Sequence, residues 1–346
     1  MKRTYFILLK KITRYLLYFA FLFITVLLLL EVTYRNYWVD FYGGNLKGLN
    51  ATTILNDNKK PTLLIIGDSF TADQNSYVRG LRNAFPNHRI INSAVPGTCA
   101  RQHALMMRKR VKQFSPDLFI YQTYVGNDLL DWRHPLSSPN ISFLRKCYWW
   151  LSDRLYVVGY INTKLPHLRQ AIFNDIPMDI DPKVLQAFSP EKYSSRSKML
   201  FQAEPNLVEN SVLLKNGRQN DLEELAFSIQ GMIGELSKEC KVLILPIPHA
   251  MQLGDPYLKQ FQQIGATVNA PTDLIVDEYP FIKYLQSNLI TDRIFMVNPL
   301  LALREKNITE PVYYNNDPHL NPVGQEIISD VLVEYLNRLY LMNDER

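Results

Sequence analysis

The chain has 346 residues, of which 47% are hydrophobic and 21% charged, enough for one large or two modest domains with a full core and unlike a disordered composition. The formal charge of +5 is local: Lys2, Arg3, Lys10, Lys11 and Arg14 crowd the start, and the remaining 33 Lys and Arg balance 33 Asp and Glu. A neutral body gives no reason to expect a nucleic-acid partner, and Cys99, Cys147 and Cys240 are too few and too far apart for a disulfide framework, leaving at most one pair and a free thiol.

Tyr15 to Leu30 is apolar except for Thr25, and Val32 to Tyr34 extends the run past Glu31. That length reaches the short end of a membrane span. No small-residue cleavage site follows, so residues 1–35 read as an uncleaved signal anchor. The basic cluster ahead of the span puts the N-terminus in the cytoplasm and everything beyond about Arg35 on the far side, periplasmic or extracellular. Residues 36–60, with Gly43, Gly44 and Gly48 and no sustained period, read as a linker ending in the solvated Asn56-Asp57-Asn58-Lys59-Lys60.

The body, residues 61–340, opens on Thr62 to Ile66, a branched apolar run of the kind that is buried on both faces in a parallel sheet. It stops at Gly67-Asp68-Ser69, where Asp68 and Ser69 suit the start of a helix. Tyr77, Val78, Leu81 and Phe85 then recur at helical spacing. Arg89 to Asn92 is a second strand, running into Ser93-Ala94-Val95-Pro96-Gly97. A helix from about Ala100 to Phe114 leads to a third strand, Leu118 to Tyr124, tipped by Gly126-Asn127-Asp128. Strand–turn–helix units in this rhythm predict a parallel sheet with crossover connections. From about 129 to 220 the rhythm fails, and a largely helical or irregular insertion is expected, covering the site or facing the membrane. The pattern resumes with a helix from about Leu222, strands at Val242–Leu245 and Arg293–Val297, helices near Tyr257–Ile264 and Pro280–Leu289, and a final helix from Pro322.

The turns at Ser69, Gly97 and Asn127 follow successive parallel strands, so they share one sheet edge. Asp317 and His319, ahead of the last helix, can face the same crevice. The set holds a hydroxyl nucleophile, an imidazole base, an acid to orient it and donors for an oxyanion, which is what acyl transfer through serine requires. His249, after the fourth strand, approaches the same edge as a candidate substrate contact. Asp128 reads as holding its turn. There is no metal-ligand spacing and no dinucleotide fingerprint, so no cofactor is expected.

Gly67-Asp68-Ser69, Gly97 with Asn92 before it, Gly126-Asn127-Asp128 and Asp317-Pro318-His319 resemble, in order, the four blocks of the SGNH (GDSL-type) hydrolases. The resemblance spans about residues 62–340 apart from the insertion. It implies a flavodoxin-like three-layer α/β/α fold with Ser69 as nucleophile, His319 as base and Asp317 as orienting acid. The Ser69 and Gly97 N–H groups and the Asn127 amide would form the oxyanion hole. Two positions depart from the pattern. Many members place two residues between acid and histidine, a position held here by Asn316, although the shorter spacing resembles several carbohydrate-acetylating relatives; and Phe70 follows the nucleophile in place of leucine. With the anchor, the resemblance points to envelope-glycan O-acetylesterases and O-acetyltransferases. The expected activity is removal of an O-acyl group, most simply acetyl, from an envelope carbohydrate or other small ester. The alternatives are an O-acyltransferase with the same triad, which would need an acyl donor or partner in the membrane, and an inactive glycan-binding module.

Overall fold

Strands buried on both faces need helices on both sides of their sheet, and the apolar runs above meet that requirement. The computed structural model describes residues 2–51, 53, 60–173 and 187–344. Among them, β1 (Thr62–Ile66), β2 (Arg89–Asn92), β3 (Leu118–Tyr124), β4 (Lys241–Ile247) and β5 (Ile294–Met296) form one sheet, parallel throughout, in the order β2-β1-β3-β4-β5. This is the flavodoxin-like doubly wound order, whose topological switch lies between β1 and β3.

The chain begins with α1 (Lys2–Arg35) and α2 (Gly43–Leu49); α3 (Tyr77–Ala84) and α4 (Ala100–Phe114) are the first two crossovers. The insertion carries α5 (Asp128–Trp132), α6 (Phe143–Arg154), α7 (Tyr156–Phe173), α8 (Ser195–Ala203) and α9 (Leu207–Leu213). Then come α10 (Arg218–Gly234), α11 (Tyr257–Gln263), α12 (Pro271–Leu274), α13 (Pro280–Leu289), α14 (Leu300–Asn307) and α15 (Pro322–Asp344). Helix α10 packs on α4 and α13, whereas α15 packs on α3 and α14. Those two groups are the outer layers of the expected α/β/α sandwich. Ile328, Leu332 and Leu336 form the fully buried stripe of α15.

Within α1, Lys10–Arg35 has the length and apolarity to cross a membrane, with a mean hydropathy of 2.4, and its side chains from Tyr15 to Ile24 are all exposed. The segment after it, read from sequence as a linker, carries α2 and packs on the body. Tyr37, Tyr42, Leu46 and Asn50 are buried. The Arg110 side chain is fully buried and donates to Asp40 at 2.7 and 2.9 Å and to Ser93 Oγ at 2.8 Å. The Asn50 side chain brackets Asn92, donating to its carbonyl at 2.7 Å and accepting its N–H at 2.9 Å. These bonds tie the segment to strand β2 at the sheet edge. Residues 54–59, most of the solvated end of that stretch, lie outside the described residues.

Every described helix or strand between β3 and β4 is a helix, as expected of the insertion. Its parts go two ways: α7 packs along α1, and α8 reaches the carboxyl edge of the sheet, where Arg196, Ser197, Leu200 and Phe201 wall the cleft around Ser69.

Candidate active site

At the end of β1 the chain must turn beside β3, and only glycine fits. A Cβ on Gly67 would stand 2.3 Å from Gln122 Oε1. That oxygen accepts the Asp68 N–H at 2.9 Å and the Thr71 hydroxyl at 3.1 Å, locking the turn. The helix start expected at Asp68–Ser69 is instead a tight turn, and α3 begins only after Ser76. The reason is local: the buried Asp68 carboxylate accepts the Phe70 N–H at 2.9 Å and its carbonyl accepts the Ala72 N–H at 2.9 Å. Burial pushes the Asp68 carboxyl up to about 6.

The second turn is pinned from below. Gly97 adopts φ +69°, in the left-handed region that favours glycine. Thr98 donates its hydroxyl to the Val95 carbonyl at 2.7 Å and lies 2.8 Å from His103 Nε2, whose Nδ1 is 3.1 Å from the Tyr121 hydroxyl. One proton per contact satisfies this chain if His103 is neutral, and burial lowers its pKa to about 3. At the third turn, Asp128 accepts the Thr123 hydroxyl at 2.6 Å and the Tyr124 N–H at 2.9 Å, so it holds the backbone as read from the sequence. The Asn127 amide donates to Asp131 at 2.7 Å, and Asp131 is gripped by Arg196 through both oxygens at 2.9 and 3.0 Å. A carboxylate can only accept, so Asp131 fixes which end of the Asn127 amide carries the donors.

The fourth loop is held by α15. Gln325 accepts the Tyr77 N–H at 2.9 Å and donates to the Phe70 carbonyl at 3.0 Å, bridging α15 to the Ser69 turn. Ser69 Oγ is thereby 2.7 Å from His319 Nε2. On the other side of the ring, His319 Nδ1 is hydrogen-bonded to Asp317, which also accepts the His319 backbone N–H at 2.9 Å. Asp317 on Nδ1 puts the proton there and leaves the Nε2 lone pair for the serine hydroxyl. Asn316, at the alternative spacing, is fully buried and faces away, accepting the Ser189 N–H and donating to the Ala187 carbonyl, each at 2.7 Å.

Ser69, Asp317 and His319 line a cleft of about 100 Å³ that also takes in Tyr124, Asn127, Phe201 and His249. Gly97 borders an adjoining pocket, and Arg196 and Leu200 belong to both. Among the described residues, neither the Ser69 nor the Gly97 N–H has an acceptor.

No protein-family model and no curated protein matches the chain. Solved structures do resemble it. A GDSL-like lipase from Bacteroides thetaiotaomicron is 13% identical with a TM-score of 0.39, over 88% of this chain and 99% of that one. An acetyl xylan esterase is 14% identical with a TM-score of 0.40, over 79% and 98%. A catalytic mutant of an acetylxylan esterase from Geobacillus stearothermophilus is 13% identical with a TM-score of 0.38, over 79% and 93%. At this level of similarity the chemistry of the cleft rests on its own atoms.

His249 is buried in the cleft wall between Tyr124 and Phe261, with ring centroids at 5.9 and 4.6 Å. Its Nδ1 accepts the Met251 N–H at 3.1 Å, so its proton sits on Nε2, and burial lowers its pKa to about 3. It can donate one hydrogen bond and does not titrate near neutrality. His134 pairs with Asp153 at 2.5 Å and stacks on Trp149, both in the adjoining pocket. The sequence reading missed Asp131, Arg196 and His103. Only Asp131 had a signal, its i+4 spacing from Asn127 on a helical turn. The described residues contain no group of side chains suited to a metal ion.

Proposed function

We propose that this chain is a serine ester hydrolase working through an acyl-Ser69 intermediate. One observation carries the reading: Ser69 Oγ lies 2.7 Å from His319 Nε2 while Asp317 holds the opposite ring nitrogen. His319 takes the Ser69 proton as Oγ attacks the ester carbonyl carbon, and the carbonyl oxygen becomes an oxyanion. Asn127, with the Ser69 and Gly97 N–H groups, supplies the donors, and a well-placed donor of this kind contributes about 3 kcal/mol to the transition state. His319 then gives its proton to the departing alkoxide, which leaves as an alcohol. Water repeats the sequence, releasing the carboxylic acid and restoring Ser69.

A cleft of about 100 Å³ walled by Tyr124, Phe201, Phe261 and Leu207 suits a short acyl group. Acetyl on an extracytoplasmic envelope carbohydrate, with α1 as the anchor, is the substrate class we propose. The adjoining pocket favours a second reading. It meets the cleft at Arg196 and Leu200 and offers Tyr148 and Arg145 as walls, a place for a hydroxyl acceptor. With an acceptor there, the same residues would transfer the acyl group to a sugar rather than to water.

Full-length protein in detergent, given a chromogenic acetyl ester with and without a glycan acceptor, tests both. Acetate release without acceptor supports the hydrolase; acylated glycan formed only with acceptor supports the transferase. Neither product would leave the fold as a binding module.

A further inference from the structure

Helix α6 presents the wrong side to water. Phe143 and Leu144 are 77% and 78% exposed, and Trp150 and Leu151 are 47% and 37% exposed. At 100° per residue these four fall within a sector of about 120°, so they form one outward apolar face. Trp149 and Asp153, on the opposite side, face the body, one buried against His134 and the other bonded to it. Lys146 flanks this face, Arg154 falls within its sector at the last turn of the helix, and the Arg154 guanidinium lies 4.3 Å from the Trp150 ring centroid.

The position of this face decides what covers it. Arg35, the last residue of α1, donates to the Arg154 carbonyl at 2.7 Å, pinning the end of α6. One turn earlier, the buried Glu31 accepts the Tyr156 and Val157 N–H groups at 3.0 and 2.8 Å and so caps the start of α7. The α6–α7 corner is therefore fixed at the end of the apolar helix, and Trp38 and Val39, three and four residues after Arg35, are 68% and 56% exposed.

We propose that α6 lies in the outer interface of the bilayer crossed by α1, an inference that rests on α1 being a span. The face formed by Phe143, Leu144, Trp150 and Leu151 enters the headgroup–acyl boundary, and Lys146 and Arg154 meet anionic headgroups. The inner side of the same helix gives Tyr148 and Trp149 to the pocket adjoining the Ser69 cleft. Docked in this way, that pocket opens at headgroup level, which fits substrates held at the membrane surface.

The test uses the full chain in vesicles of phosphatidylcholine and phosphatidylglycerol. Phe143→Cys, Leu151→Cys and, as an aqueous reference, Ile308→Cys are each made in a Cys147→Ser background; Cys99 and Cys240 are buried and do not compete for label. Each variant carries a nitroxide, and its collisions with oxygen and with a water-soluble nickel chelate are compared. The oxygen-to-chelate ratio is expected to be several-fold higher at 143 and 151 than at 308. Equal ratios on a chain that floats with the vesicles overturn the interfacial helix while leaving the anchor. Shielding from both reagents overturns it in favour of a protein partner, a second copy included. A chain that does not float removes the span and this surface together.

Discussion

Asp131→Ala is the perturbation that most directly probes how the cleft is organised, because Asp131 contacts the site only through other residues. It accepts a 2.7 Å hydrogen bond from the Asn127 amide and holds Arg196 at 2.9 and 3.0 Å. A hydrogen bond to a charged group contributes about 1.5–3 kcal/mol, and this one sets the amide's orientation. The Asn127 Oδ1 is buried with no partner among the described residues. Once Asp131 is gone, Arg196 is a free donor lining the same cleft, and the amide gains by turning its oxygen toward it. If the new bond from Arg196 to the turned-in oxygen favours the flipped amide by about 1.5–3 kcal/mol, the competent fraction falls roughly 10- to 150-fold. The ceiling is outright loss of the donor in Asn127→Ala, about 10²- to 10³-fold in kcat. The expected result on a chromogenic acetyl ester is a kcat decrease in that lower range with KM nearly unchanged. Asp131→Ala combined with Asn127→Ala should be no worse than Asn127→Ala alone, since the two act as a unit. Unchanged kcat in Asp131→Ala, or losses that multiply in the double variant, would refute the reasoning.

Other expectations follow from the same contacts. Gly67→Ala drives a Cβ into Gln122 and displaces the acceptor of the Asp68 and Thr71 bonds; a loss of about 1–3 kcal/mol is expected by urea denaturation in micelles, together with reduced activity. Asp40→Asn leaves the fully buried Arg110 guanidinium without its counter-charge, at about 3–5 kcal/mol in the same measurement. The pH dependence has a worked sign. His103 and His249 are held near 3 in the fold, so below about 6.5 the unfolded chain binds protons that the folded chain does not, and stability falls as pH drops through that window. Asp68, raised to about 6, opposes this between about pH 4 and 6, so the comparison is made against a variant. His103→Gln should lose less stability than the parent between pH 8 and 5, by about 2 kcal/mol, read from denaturation midpoints at the two pH values.

The sheet was legible because each strand is an apolar run ended by glycine, proline or a polar turn, and β2, β3, α4 and α13 lie where the pattern put them. Ser69, Asp317 and His319 could be brought together on paper because parallel strands deliver their turns to one edge. Other features depend on packing. Asp68 and Ser69 have good helix-start chemistry, yet the buried Asp68 carboxylate satisfies its own turn and the helix waits until Tyr77. Arg196 comes from an insertion whose sequence has no period pointing at the cleft. His103 is a single histidine on the buried side of α4, a position that gives no sign of the Thr98 and Tyr121 bonds it makes. Residues 36–51 have the glycines of a connector, but Asp40 and Asn50 find buried partners on the body. Gly97 follows its strand as the other turns do, and it borders the adjoining pocket, which meets the Ser69 cleft at Arg196 and Leu200.

The central claim is that Ser69 is made nucleophilic by His319, and active-site labelling reads that property directly. Full-length protein is incubated with a fluorophosphonate, and the adduct is mapped by peptide mass. The account predicts a single adduct on Ser69, none in Ser69→Ala, and labelling slowed by orders of magnitude in His319→Ala. An unlabelled Ser69 in folded protein, or labelling at the same rate without His319, would contradict it.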